Sequence, residues 1–213
     1  MKLSLNQQHK HILAKKHWIF DMDGTLTIGV HDFDMMRSEL GLAADSDILG
    51  SVQAMPPEQA APMWEKINAM ESYFASLAKP MPGAYELLQH LQDKGAKLGI
   101  LTRNVMPAAI QTLATCNLDG FFTPQDILDR ASCEPKPHPA GIQLLLAQWG
   151  AKTSDSVMVG DYLFDLEAGR AAAVATVHID ISAQYPWPQM TDWGINHLHQ
   201  LIDHEDPLIN KAL

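Results

Sequence analysis

Asp21 and Asp23 stand two residues apart, and Gly24 and Thr25 follow at once. The segment leading into them, His17-Trp-Ile-Phe20, is apolar enough to be a buried strand. Ionised carboxylates at the end of a buried strand need a positive partner, because desolvating them alone is costly. Magnesium, which prefers oxygen ligands, is the natural one. Beside such a cation Asp21 is an oxygen nucleophile that needs no deprotonation at neutral pH. Asp23, from the same turn, is placed to give a proton and then take one back. Further along, Thr102-Arg103-Asn104 closes an apolar run and precedes a helical pattern. A hydroxyl and exposed backbone N–H groups at that point suit a phosphate oxygen, and Arg103 is within reach of an anionic substrate. Lys136 is set in Glu134-Pro-Lys-Pro-His-Pro139, where flanking prolines fix the charge in place, as preorganised sites require. Asp161 and Asp165 lie in Gly160-Asp-Tyr-Leu-Phe-Asp165. Asp161 ends a strand and can share a cation with Asp21. Asp165, one helical turn on, can hold Lys136 or a metal-bound water.

The elements needed to bring these residues together are legible as periodicities. Strands are expected at 17–20, 97–101, 156–160 and 175–179, with a possible last one at 193–195 and a weak candidate at Phe121-Phe122. Helices are expected at 85–94, 107–116, 139–149, 164–172 and, briefly, 196–202. Thr123-Pro124-Gln125-Asp126 has the composition of a helix start. Strands alternating with helices imply a parallel sheet covered on both faces. Ligands bind such sheets beyond the carboxyl ends of the strands, which is where Asp21, Thr102 and Asp161 fall.

Between the first strand and the rest, the pattern changes. A short helix over 32–40 stops at Gly41, Asp45-Ser46-Asp47 reads as a polar connection, and a long helix runs from Pro56 to about Lys79. Its Met63, Ile67, Met70, Phe74 and Leu77 recur at three and four, which gives one apolar face. The expected division is a core of residues 1–27 and 82–213 and an all-helical insert of 28–81. The first 16 residues, rich in lysine and including His9 and His11, read as a frayed arm or a surface helix.

Composition narrows the partners. The 213 residues are 46% hydrophobic and 19% charged, as in an ordinary globular protein, and the net charge is −10. That charge argues against nucleic acid and anionic membranes as partners. It allows a small anionic substrate where a local cation outweighs the global field. Cys116 and Cys133 match no zinc spacing and read as free thiols of a reducing compartment. With neither an apolar leader nor a membrane-length run, the cytoplasm is the expected location. His138, His178 and the loose group His197, His199 and His204 fit no metal spacing and read as surface or packing residues.

In this order the motifs resemble those of the haloacid dehalogenase superfamily of phosphohydrolases. The first is Asp21-Met-Asp-Gly-Thr-Leu-Thr27, the second Thr102, the third Lys136, and the fourth Gly160-Asp161 with Asp165. The resemblance implies an α/β, Rossmann-like core with a small helical cap inserted after the first strand, similar to the phosphoglycolate phosphatase and β-phosphoglucomutase branch. It implies a magnesium-dependent phosphatase acting on a small phosphate monoester through an aspartyl-phosphate on Asp21, with Asp23 as acid and base. Magnesium would be held by Asp21, Asp161 and the backbone carbonyl of Asp23. Thr102 and Lys136 would grip the phosphoryl oxygens together with Arg103 and Asn104, and Asp165 would support the site. Gly24 and Thr25 would form the hinge toward the cap. Ile28-Gly29 replaces the Asp-Ser common after the first motif, which leaves His31, Asp32, Arg37, Glu65 and Tyr73 as candidates for substrate selection. Phosphomutase chemistry, phosphonate cleavage through Lys66 or Lys79, and a non-catalytic phosphate-binding protein are the alternatives.

Overall fold

The computed structural model describes residues 5–202. Six strands, β1 (His17–Phe20), β2 (Lys97–Leu101), β3 (Ile127–Leu128), β4 (Ser156–Gly160), β5 (Ala175–Ile179) and β6 (Trp193–Ile195), form one sheet in the order β3-β2-β1-β4-β5-β6. All five pairings are parallel. β1 sits in the middle, with Phe20 level with Ile100 on one side and Val159 on the other. The sites that leave the three central strands are therefore neighbours in space.

The period of two along each strand splits the core between two faces. Trp18, Phe20, Ile100, Val157 and Val159 pack on one side with Leu87, Leu88 and Leu91 of α5 (Ala84–Asp93), Ala109 and Leu113 of α6 (Met106–Thr115), and Ile12 of α1 (Leu5–Leu13). Ile19, Leu101 and Met158 face the other way, onto Ile142, Leu145 and Leu146 of α7 (Ala140–Trp149) and Ala168 of α8 (Leu163–Ala171). Strands covered on both faces are apolar throughout rather than alternating, which is why these short runs stood out in the sequence.

Between β1 and β2 lie α2 (Phe33–Leu40), α3 (Ile48–Gln53) and α4 (Pro57–Leu77). Asp32 caps α2 by accepting from Met35 N, and Gly41 ends it in the left-handed region at φ 65°, a conformation open to glycine without strain. The three helices bury Met36, Leu40, Ile48, Val52, Ala60, Ile67 and Phe74 in a cluster separate from the two sheet-face cores. The chain leaves and returns through one narrow base, where Ile28 N donates to Lys79 O and Met81 N to Leu26 O, both at 2.9 Å.

The structure corrects several local expectations. Phe121-Phe122 is not a strand: Asp119–Phe121 is a single 3-10 turn, and Phe121 packs edge-on against Tyr85 of α5, with ring centroids 5.1 Å apart. The helix expected from Thr123 goes no further than one 3-10 turn, Pro124–Asp126, with Thr123 at its N-cap position; Asp126 clamps it by accepting from Thr123 Oγ1 and Trp149 Nε1, and it leads straight into the two-residue β3. The terminal helix is a 3-10 turn, Leu198–Leu201. Asp47 caps an unexpected helix, α3, through a bond from Gly50 N. His204 and residues 1–4 of the expected N-terminal arm lie outside the described residues, and α1 occupies most of the remainder. No described helix is long and apolar enough to cross a membrane.

Candidate active site

The carboxyl ends of β1, β2 and β4 open onto a cavity of about 340 Å³ between the sheet and the α2–α4 unit. Asp21, Asp23, Thr102, Arg103, Asn104, Lys136, Asp161 and Asp165 all line it. Asp21 follows β1 directly, and its backbone N–H still bonds to Val159 O, so its side chain leaves the sheet at a fixed place. The turn after it needs Gly24. That residue has φ 91°, and any Cβ there would collide with the carboxylate of Asp161. Thr25 Oγ1 donates to Asp161 Oδ1 at 3.2 Å and ties the first and fourth motifs together.

Lys136 lies at the centre, fully enclosed. Its ammonium is 2.5 Å from Asp21 Oδ1 and 2.6 Å from Asp165 Oδ1. Burial opposes its charge, but Asp165 and Asp21 outweigh burial and hold it protonated, above the ordinary lysine range. The second carboxylate oxygen of Asp165 accepts from Tyr162 N at 3.0 Å. Asp165 therefore has a partner for each oxygen, whereas among the described residues the only side-chain hydrogen bond to Asp161 comes from Thr25.

The negative groups outnumber the positive one. Burial pushes Asp161 up to about 8, and Asp21 and Asp165 push in the same direction. Burial and the adjacent Asp23 raise Asp21 against the pull of Lys136. Among the described residues, Asp21, Asp161 and Asp165 are the one group of acidic, histidine or cysteine side chains able to hold a metal ion, with ligand oxygens within 4.8 Å of one another. A set of hard oxygen donors with excess negative charge fits a small divalent cation. Because both oxygens of Asp165 are engaged, Asp21 and Asp161 are the better suited of the three.

Asp23 is held separately. Asn104 Nδ2 donates to its Oδ2 at 2.7 Å, and Thr27 Oγ1 lies 3.5 Å from its Oδ1. Burial raises it to about 6. Thr102 is buried, and its hydroxyl accepts from Asn104 N at 3.1 Å, which shapes the loop after β2. Arg103 does not point freely into the cavity. Its guanidinium spans both oxygens of Asp47, at 2.8 and 3.1 Å, and lies 4.8 Å over the Phe164 ring.

Of the five candidates for selectivity, His31 and Arg37 line the cavity, whereas Asp32, Glu65 and Tyr73 do not. Lys66 and Lys79 are exposed and also lie off it. The histidines read as packing or surface residues do occupy such places: His178 is buried, with Nε2 3.2 Å from Asp161 O, and His138 is exposed beside Glu134. His9 stacks on Trp193.

Two features escaped the sequence reading. Glu71 of α4 forms a buried ion pair with Arg130, which follows β3. Glu71 also accepts from Val105 N at 3.1 Å, while Arg130 donates to Asn68 Oδ1 at 2.6 Å and Arg103 O at 3.1 Å and sits 5.2 Å from the Trp64 ring. Asp129, beside it, accepts from Met106 N and so caps α6. An Asp-Arg pair just after a strand was the only available signal.

A parallel sheet of this order, with acids and a lysine gathered at its carboxyl edge, defines a doubly wound, Rossmann-like α/β fold. Residues 39–179 match the family model described as haloacid dehalogenase-like hydrolase, and the chain belongs to that family and is an enzyme of it. It is 32% identical to a haloacid dehalogenase-like hydrolase domain-containing protein of Arabidopsis thaliana, over 78% of this chain and 71% of that one. It is 27% identical to an N-acetylmuramic acid 6-phosphate phosphatase of Pseudomonas aeruginosa, over 92% and 95%. The fold is similar to that of a predicted phosphoglycolate phosphatase from Haemophilus somnus, with a TM-score of 0.68, 21% identity and coverage of 87% and 95%.

Proposed function

We propose that the protein is a magnesium-dependent phosphatase that hydrolyses a small phosphate monoester, with residues 28–81 acting as a cap over the site. The observation that carries this reading is the meeting of Asp21, Asp161 and Asp165 with one buried lysine, beside an Asp23 that has its own, separate support. Such a set divides nucleophile, charge balance and proton transfer among different side chains. The names of the Pseudomonas and Haemophilus proteins support the phosphate ester as substrate class, and a cavity of about 340 Å³ supports a small one.

In this reading, one carboxylate oxygen of Asp21 attacks phosphorus. The bond from phosphorus to the leaving oxygen breaks, and Asp23 gives that oxygen its proton. Water then attacks the aspartyl-phosphate, Asp23 takes the proton back, and inorganic phosphate leaves with Asp21 restored. Lys136, Thr102 and Asn104 hold phosphoryl oxygens, while Asp165 keeps Lys136 in place. Asp21, Asp161 and the carbonyl of Asp23 would hold magnesium, which when bound neutralises charge on the transferring group. Gly24 and Thr25 position the first motif against Asp161. Arg103, tied to Asp47, contacts the substrate only at the cavity mouth. Two free cysteines, one buried, fit a reducing compartment such as the cytoplasm.

Hydrolysis of 4-nitrophenyl phosphate tests the reading. Turnover is expected with magnesium and is expected to vanish in excess EDTA or in Asp21→Asn. Full activity in EDTA would remove the metal, and full activity in Asp21→Asn would remove the nucleophile.

A further inference from the structure

His31 is in the segment that joins the first motif to α2, so the insert delivers it to a site otherwise built by the sheet. Its side chain is 7% exposed, with Nδ1 3.7 Å from Asp23 Oδ1. The ring is wedged against Phe74, with centroids 4.8 Å apart, and stacked on Phe33 at 5.7 Å. Its Nε2 is buried and has no hydrogen-bond partner among the described residues. Leaving a buried polar atom unpaired costs about 1–3 kcal/mol, and evolution rarely retains one without use. The two ring nitrogens are distinct, so each can serve a different partner.

The geometry points to His31 as the positioning residue for Asp23 and as the contact for the leaving group: Nδ1 faces the acid, and Nε2 meets the alcohol portion of the ester. This rests on the phosphatase reading above. Asp23 then has a hydrogen bond from Asn104 on Oδ2 and, toward Oδ1, the His31 ring with Nδ1 3.7 Å away. Phe33 and Phe74 fix the ring plane, so the two nitrogens cannot serve their partners in another orientation without repacking. The substrate class that gains most is an alkyl phosphate, because an alkoxide is a poor leaving group and depends on a well-placed proton. An aryl phosphate with a stable phenolate gains little.

The test compares 4-nitrophenyl phosphate with the best alkyl phosphate found among small sugar and polyol phosphates. Wild-type turnover of the aryl ester, lost in Asp21→Asn, secures the underlying reading independently. His31→Phe keeps an aromatic ring against Phe33 and Phe74 and removes both nitrogens. It is expected to lower kcat for the alkyl ester roughly 100-fold, the scale of acid–base assistance, and for the aryl ester less than about fivefold. Equal losses on both esters, or no loss on the alkyl one, would overturn the proposal. His31→Asn and His31→Gln provide the test if the phenylalanine variant does not fold. The shorter amide reaches the Nδ1 position and the longer one the Nε2 position. Partial rescue of the alkyl rate by either, relative to His31→Ala, is the expected result, and rates equal to alanine in both would overturn it.

Discussion

Arg130 and Arg103 both belong to the core and both reach acids of the helical insert, yet their settings differ. Arg130 and its partner Glu71 are nearly sealed, with side chains 10% and 4% exposed. Each has further partners: Asn68 and Arg103 O for the arginine, and Val105 N for the glutamate. The Arg103–Asp47 pair is more open, at 24% and 44%. It lines the cavity, and Asp47 also caps the short α3. A buried pair is costly to break because the survivor is left charged and unpaired, whereas an exposed pair contributes about 0–1 kcal/mol. The insert is therefore held to the core more firmly along α4 than along α3. Packing of α4 on α6 adds to the fastened side, with Ser72 donating to Gln111 across it.

This contrast predicts a descending series of effects. Glu71→Ala strands Arg130 and the Val105 N–H and is expected to cost about 3–5 kcal/mol in denaturant unfolding. A cost below about 1 kcal/mol would make the two pairs equivalent and end the comparison. Arg130→Lys keeps the charge but loses the fork that serves Glu71, Asn68 and Arg103 O together, so a loss of about 1–3 kcal/mol is expected. Asp47→Asn preserves the cap of α3 and removes only the charge. Its expected stability cost is under about 1 kcal/mol, while the amides of 48–53 exchange faster than those of α4. Salt provides the gentlest probe. Moving from about 0.1 M to 1 M shortens the Debye length from roughly 10 Å to 3 Å, which should speed exchange in α3 and leave α4 unchanged. Equal acceleration in both helices would show that burial does not protect the Glu71 pair.

The sheet was readable because buried parallel strands are short apolar runs, and the three central ones are followed by Asp21, Thr102 and Asp161 at the site. The acids and Lys136 were readable because charged groups beside apolar or proline-fixed segments have few structural uses. The missed elements fell where local pattern is weak. Helix α3 has six residues, too few to display a period, and β3 has two. Phe121 and Phe122 have strand composition, but contact with Tyr85 of α5 decides their conformation instead. Arg103 does line the cavity, but its tie to Asp47 spans 56 positions and left no local signal. The Glu71–Arg130 pair spans 59, and neither partner signals the other. For His31, sequence gave a candidate contact, but only the unpartnered Nε2 and the nearby Asp23 gave it a task.

The central position of β1 has a consequence for how the chain is made. Asp21 emerges from the ribosome 115 residues before Lys136, and Thr25 emerges 136 residues before Asp161. Domains form from the N-terminal side during synthesis. The α2–α4 unit, whose apolar cluster is drawn from residues 36–74 alone, can gather before β2 exists. The nascent chain thus carries Asp21 long before it has Lys136, Asp161, Asp165 or the neighbouring strands. The group of Asp21, Lys136, Asp161 and Asp165 is complete only once β4 lies beside β1, and a chain cut short before β4 holds the first motif without these partners.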